Sequence, residues 1–277
     1  EFKYLTLHRS FRVTSNIANF VNKALLGHTR IYSEKIKCNR PVVYIRTNKE
    51  DMVKIVYKYI KKMFTRNYHL DDIFVLVNSV KYGPHKELEN ILCSNGHKCF
   101  VPINDEKNID EEIIKGKIVF TTFHQSKGLE RKIVIILGFD SSFMKQIENK
   151  TLCPPSLYVG CTRALERLVL WENTYYSPLP FMHKTHSQLI NDKEITIDFK
   201  GKTLKNKEFK KRIVERIIPS SIICPSTIVC HINYKKHVEL EELCLDIFSL
   251  ETPKQYILKI PKTYNNEDVS DINTLVI

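Results

Sequence analysis

The sequence contains no apolar run approaching the roughly 18 residues that a membrane-spanning helix requires, which excludes a helical transmembrane protein. Cysteine is sparse. The eight cysteines in 277 residues are too few for a disulfide scaffold, and none stands in a C-x-x-C pair of the zinc-binding kind. Reduced thiols in an intracellular compartment, nucleus or cytoplasm, are the simplest reading. Internal repeats and low-complexity tracts are absent. An initiating Met and a signal peptide are missing too: the chain begins at Glu1 and ends within the apolar Leu275-Val276-Ile277, which predicts a fragment excised from a longer protein. Negative charge is in deficit, with 31 Asp and Glu against 43 Lys and Arg, a net +12 and a pI near 9.2. What remains, 43% hydrophobic and 27% charged residues, is an ordinary globular composition with room for a core.

The positive charge is concentrated. Residues 1–66 carry 15 basic and 4 acidic residues, residues 67–175 carry 13 and 14, and Lys200 to Ile217 carry 8 and 2. Two basic blocks in an otherwise neutral chain are the electrostatic footprint of a polyanion partner, usually nucleic acid. A solvated Lys-rich helix face would produce the same count.

Apolar spacing gives the organisation. Ile17, Phe20, Val21, Ala24 and Leu25 recur at helical intervals, with Thr14 or Ser15 as cap and Gly27 just past the end. Val42–Ile45 reads as a buried strand, and Thr47 with Glu50 gives a capping-box signal for a helix through Val53, Val56, Ile60 and Phe64. Ile73–Val77 is a second strand, Pro84 opens a helix that ends at Asn95-Gly96, and strands follow near 98–101, 118–122 and 133–137. A helix near Ser156–Leu165 leads into Leu168–Trp171. Buried β-branched strands alternating with amphipathic helices predict an α/β fold, a mostly parallel sheet with helices on both faces, over residues 1–175. Ser177-Pro178-Leu179-Pro180 marks a boundary. Residues 176–277 read as a smaller mixed α+β accessory region, with a hairpin at Ile195–Phe199, a basic helix at Phe209–Ile217 and another near Val238–Phe248.

Two strings carry chemistry. The first, Thr121-Thr122-Phe123-His124-Gln125-Ser126-Lys127-Gly128-Leu129-Glu130, packs polar groups into a tight turn between buried strands. Such groups must hydrogen-bond one another or face a ligand. The second runs from Leu157 to Arg167. Leu157, Cys161 and Ala164 share one helical face, while Arg163 falls off it and is free to project. A fixed guanidinium suits phosphate, because its planar fork makes paired charge-assisted hydrogen bonds.

Together these strings resemble motifs V and VI of the UvrD/Rep/PcrA group of superfamily 1 DNA helicases. Thr122 to Glu130 is similar to T-x-H-x-x-K-G-L-E, and Tyr158 to Ala164 to Y-V-(A/G)-x-T-R-A. Ser10-Phe11-Arg12 ahead of an amphipathic helix resembles motif IV. The resemblance covers residues 5–173 and implies the second, C-terminal RecA-like motor domain of an ATP-dependent helicase. It implies that Arg12 and Arg163 reach the γ-phosphate of ATP, Arg163 as an arginine finger. Gly128 and Glu130 would lie at the nucleotide, Glu130 on the ribose hydroxyls. Thr122, His124 and Lys127 would lie toward single-stranded DNA or a DNA junction. The implied partners are that DNA and the first RecA-like domain of the same polypeptide; no membrane and no oligomer are predicted.

A Walker-type loop, G-x-x-x-x-G-K-[ST], is missing. Gly201-Lys202-Thr203 has Thr196 where the first glycine belongs, and Gly116-Lys117 has Glu111 there. An acidic Mg²⁺-binding element after a buried strand is also missing. The first motor domain, with the ligands of the Mg²⁺ that accompanies ATP, is therefore expected upstream of Glu1, and the fragment alone is predicted inactive. The 108 residues between Arg12 and Thr121 leave no room for the helical insertion that relatives often carry. Two other readings stand: a degenerate RecA-like module kept for nucleic-acid binding or assembly, and the motor part of a helicase–nuclease fusion. No metal site is predicted. The C-x5-C spacing of Cys224 and Cys230, with His231 and His237, fits zinc poorly, and His183 and His186 lack a third ligand. The block Lys200–Arg216 with Phe199 and Phe209 could track a nucleic-acid backbone. Abundant Lys, Ile and Asn suggest an AT-rich genome, such as that of a large DNA virus.

Overall fold

The computed structural model describes residues 9–34, 40–103, 109–147 and 151–204, and three short strands beyond them. In chain order the elements of the larger unit are β1 (Arg9–Ser10), α1 (Ser15–Phe20), β2 (Tyr32–Ser33), β3 (Val42–Thr47), α2 (Lys49–Phe64), β4 (Ile73–Val77), α3 (His85–Ser94) and β5 (Cys99–Phe100). There follow α4 (Glu111–Ile114), β6 (Ile118–Thr122), β7 (Arg131–Leu137), α5 (Pro155–Cys161), β8 (Ala164–Asn173), α6 (His186–Ile190) and β9 (Ile197–Gly201).

Seven strands form one sheet in the order β5-β6-β4-β7-β8-β3-β9, and every pairing is parallel. The α/β class with both faces covered is the one the alternating elements predict, and it fits the RecA-like arrangement implied by the motifs. Every residue of β4 and β6 is buried. Successive side chains serve opposite faces. Val43, Ile45, Val169 and Trp171 join Met52, Val56 and Ile60 of α2 and Leu88 and Leu92 of α3 in one core. Tyr44 points the other way, edge-on to Phe139 at 5.8 Å, and Phe139 in turn meets Phe20 of α1. Each such apolar side chain contributes about 1.5–3 kcal/mol on full burial.

Local signals hold with adjustments. The Thr14 hydroxyl caps α1 by accepting from the Ile17 N–H. The helix continues as a π-helical turn, Val21–Leu26, and stops at Gly27, whose φ of 70° is left-handed. The cap of α2 is Asn48, which accepts from the Asp51 N–H, and not Thr47. Thr47 still lies in β3, and its hydroxyl accepts from Trp171 Nε1 at 3.3 Å instead.

The expected hairpin at 195–199 is replaced by β9, which adds to the sheet edge parallel to β3, with Tyr44 opposite Phe199. The compact unit accordingly runs on to Leu204, beyond the change of rhythm at Ser177–Pro180. Glu172, fully buried, supplies the reason. It accepts from the Tyr44 hydroxyl at 2.6 Å and Arg46 Nε at 2.9 Å, and it meets His186 Nε2 of α6 at 2.8 Å. Arg46 also donates to the Lys202 carbonyl at 2.9 Å. Removing one partner from such a buried ionic network costs about 3–5 kcal/mol, so residues 176–204 are held firmly against β3 and β8.

Residues from Lys205 onward form a second compact unit. In it Val229–Cys230, Ile257–Lys259 and Leu275–Val276 pair antiparallel. The expected helices at 209–217 and 238–248, the side chains of Cys224, Cys230, His231 and His237, and most of the Lys200–Arg216 block lie outside the described residues.

Candidate nucleotide-facing edge

The turn between β6 and β7 buries some of its polar groups against one another and leaves the others in solvent. Thr121, Thr122, Gln125 and Ser126 are buried and bond within the turn. The Thr121 and Thr122 hydroxyls each reach Gln125 Oε1, at 3.3 and 3.2 Å, and the Ser126 hydroxyl donates to the Phe123 carbonyl. His124, Lys127, Gly128 and Glu130 are exposed. Thr122, expected toward the DNA, therefore lies beneath the surface, where it holds the turn in shape. Gly128 has a φ of 86°, a left-handed conformation that explains why glycine stands there.

Parallel register builds the rest. Arg131 pairs with Ala164 across β7 and β8, and the Arg131 N–H donates to the Arg163 carbonyl at 3.3 Å. Glu130 and Arg163, each one residue ahead of its strand, are thereby brought level although 33 positions apart in sequence. The Arg163 N–H donates to the Gly160 carbonyl at 3.2 Å, fixing its backbone to the last turn of α5. Arg12, just ahead of α1, completes the group: its Nη1 lies 3.5 Å from Glu130 Oε2. Burial and the neighbouring Arg12 guanidinium push the Arg163 pKa down, and Glu130 opposes them.

One carboxylate thus pairs with Arg12 and acts on the charge of Arg163 nearby. The Nε atoms of Arg12 and of Arg163 are both buried and without a hydrogen-bond partner. Buried donors left unmatched in this way are costly unless an acceptor arrives. The donor set fits a polyanion such as a nucleotide triphosphate. Among the described residues no cluster of three or more His, Cys, Asp or Glu could hold a metal ion.

No protein-family model and no curated protein sequence matches the chain. Among solved structures, it is similar to the C-terminal domain of a possible DNA helicase from Lactobacillus plantarum, at 19% identity and a TM-score of 0.46, over 68% of this chain and 99% of that one.

His124 and Lys127 do not join the arginines. β6 and β7 both flank β4, and their registers put Thr122 beside Val77 and Ile133 beside Ile73. At about 3.3 Å per residue, the segment 123–130 therefore crosses about 20 Å of sheet, from the end of β6 to the start of β7. His124 stands at one edge and Glu130 at the other. Phe123 fastens this crossing to α5, lying where a Cβ on Gly160 would be only 2.6 Å from its ring. Phe11 entered the sequence reading only as part of the Ser10-Phe11-Arg12 string and was given no role; the structure leaves it 76% exposed beside Arg12.

Proposed function

We propose that this chain is the second motor domain of an ATP-dependent DNA helicase that translocates on single-stranded DNA. The observation that carries the reading is the meeting of Arg12, Glu130 and Arg163 at one sheet edge, with two buried guanidinium nitrogens unmatched. ATP with Mg²⁺ would bind between this edge and a first RecA-like domain that supplies the phosphate-cradling loop and the metal ligands. ATP brings the phosphoanhydride whose hydrolysis powers movement. Arg163, pinned by backbone bonds to α5 and β7, presents a fixed guanidinium to charge on the γ-phosphate. Arg12 adds a second cation, and Glu130 accepts from ribose hydroxyls while keeping Arg12 in place. Phe11 offers an aromatic face to the base. The 123–130 segment links this edge to exposed His124 and Lys127, which would contact the DNA strand, while Thr122 keeps the turn rigid. An intracellular site of action, nucleus or cytoplasm, follows from such a substrate.

In the full-length protein, Arg163→Ala should lower DNA-stimulated ATP hydrolysis by about 10³-fold or more, the scale of an arginine finger, with single-stranded DNA affinity unchanged within a few-fold. Hydrolysis retained within tenfold would end the reading. DNA binding lost in place of hydrolysis would make this edge a nucleic-acid site and favour the binding module.

A further inference from the structure

We infer that a second phosphate-binding site, for the backbone of a nucleic acid, lies at the C-terminal end of α2, separate from the arginine pair. Arg12 and Arg163 are carried by the ends of α1 and α5. The second site is a pocket of about 400 Å³ lined by Arg40, Arg66, Tyr68, Lys132, Glu166 and Arg167, which come from four separate stretches of chain.

Its walls are built. Arg167, only 9% exposed, donates from Nε to the Tyr68 hydroxyl at 3.1 Å, with its guanidinium 5.6 Å from the Tyr68 ring centre. The Tyr68 hydroxyl donates to Glu166 Oε2 at 2.7 Å, and Arg40 pairs with the same oxygen. Lys132 is steadied by Asp72 at 2.9 Å. Asn67, with a left-handed φ of 62°, ends α2 by a tight cap in which the Tyr68 N–H donates to the Met63 carbonyl. That turn directs the residues on either side of it, Arg66 and Tyr68, into the pocket wall. Arg66 is exposed, and no ion pair holds it among the described residues. Four cations face two carboxylates, and the guanidinium forks match phosphate oxygens.

A charged face that merely solvates the protein has no need of a buried arginine fixed by a tyrosine–glutamate relay. The surroundings favour a polymer over a free phosphate. Lys54, Lys58, Lys61 and Lys62 are all exposed along one stripe of α2 that leads to Arg66. At 1.5 Å per residue that stripe runs about 18 Å from Lys54 to the pocket, long enough for several phosphates in a row. This is where part of the basic excess of residues 1–66 is spent.

The test uses the 277-residue chain and a fluorescein-labelled single-stranded 20-mer, titrated between 50 and 300 mM KCl. Arg66→Ala and Lys132→Ala should each weaken binding about three- to tenfold and lower the salt slope by about one. Lys193→Ala, exposed elsewhere on the unit, should change neither. Circular dichroism confirms that each variant is folded. Affinity and slope equal to the parent's in both pocket variants, or an equal loss in Lys193→Ala, would overturn the site. Inorganic tripolyphosphate is the second probe, used in an Arg12→Ala/Arg163→Ala background. Loss of its binding with oligonucleotide binding intact overturns the nucleic-acid assignment in favour of a small polyphosphate. The pocket variants leave Arg163 untouched, so failure here and failure of the ATP reading are told apart.

Discussion

One missing methyl group joins the two motifs that carry the chemistry. Gly160 sits in α5 with the Phe123 ring against its backbone, and a Cβ there would lie 2.6 Å from Phe123 Cδ1 and 3.2 Å from a Leu76 methyl. Phe123 is itself locked edge-on against Phe143 at 5.0 Å, so it cannot simply swing aside. Gly160→Ala should destabilise the unit by about 1–3 kcal/mol through overpacking, although alanine is the better helix former. For a unit of this size the melting temperature falls by about 2–4 °C per kcal/mol, and thermal unfolding measures it. An unchanged melting temperature would mean that the turn and α5 move independently. The residues flanking this contact were legible in part. Leu157 and Cys161 lie at helical spacing on α5 and are buried. Ala164, expected on the same face of a helix reaching Leu165, is instead buried as the first residue of β8, because α5 stops at Cys161. The contact itself was not, since nothing local says that a glycine in one helix receives a ring 37 positions upstream.

Elements were read best where their own periodicity decided them. β4, β6 and β7 are continuous apolar runs, and α2 and α3 have clear stripes, so these fell near their expected bounds. β9 was misread as half of a hairpin because its partner, β3, lies about 150 residues earlier, and a parallel pairing leaves no turn signal between the strands. The meeting of Glu130 with Arg163 was legible only through the motif resemblance and not from local periodicity, as it is set by the register of β7 on β8. His183 shows how the late segment is bound to the early one. Its N–H donates to the Ala24 carbonyl at 3.0 Å, and its ring covers Gly27. Burial, with a smaller push from His28, holds its pKa below the ordinary histidine value. The unfolded chain therefore takes up this proton at a higher pH than the folded one. The stability His183 contributes is complete above the unfolded value near 6.5 and is lost as pH falls from there toward the folded value. His183→Gln should flatten the loss of stability in urea between pH 7 and pH 5, and an equally steep loss in the variant would place the acid sensitivity elsewhere.

At the scale of the whole molecule, the question is whether these 277 residues can cradle a phosphate chain by themselves. Such a cradle needs a glycine-rich turn whose backbone N–H groups converge, followed by a helix that begins with the lysine. The structure gives both glycine–lysine pairs other work. Gly201 lies at the end of edge strand β9, where a Cβ would be 2.0 Å from the Arg46 carbonyl oxygen, so its glycine serves the close approach of β3. Gly116, left-handed at 67°, turns the chain from α4 into β6, and Lys117 donates to the Ile113 carbonyl at 2.8 Å with its ammonium 6.0 Å from the Phe100 ring centre. In the proposed reading Arg12 and Arg163 would meet the far side of a triphosphate, and no glycine-rich cradle encloses it among the described residues. The isolated chain should therefore bind ATP weakly and hydrolyse it no faster than buffer, with or without single-stranded DNA. Addition of the phosphate-cradling domain on the same polypeptide should restore turnover, and Arg163→Ala should abolish it again. DNA-stimulated hydrolysis by the 277 residues alone would refute this division of labour, because the unit would then hold a phosphate cradle of its own.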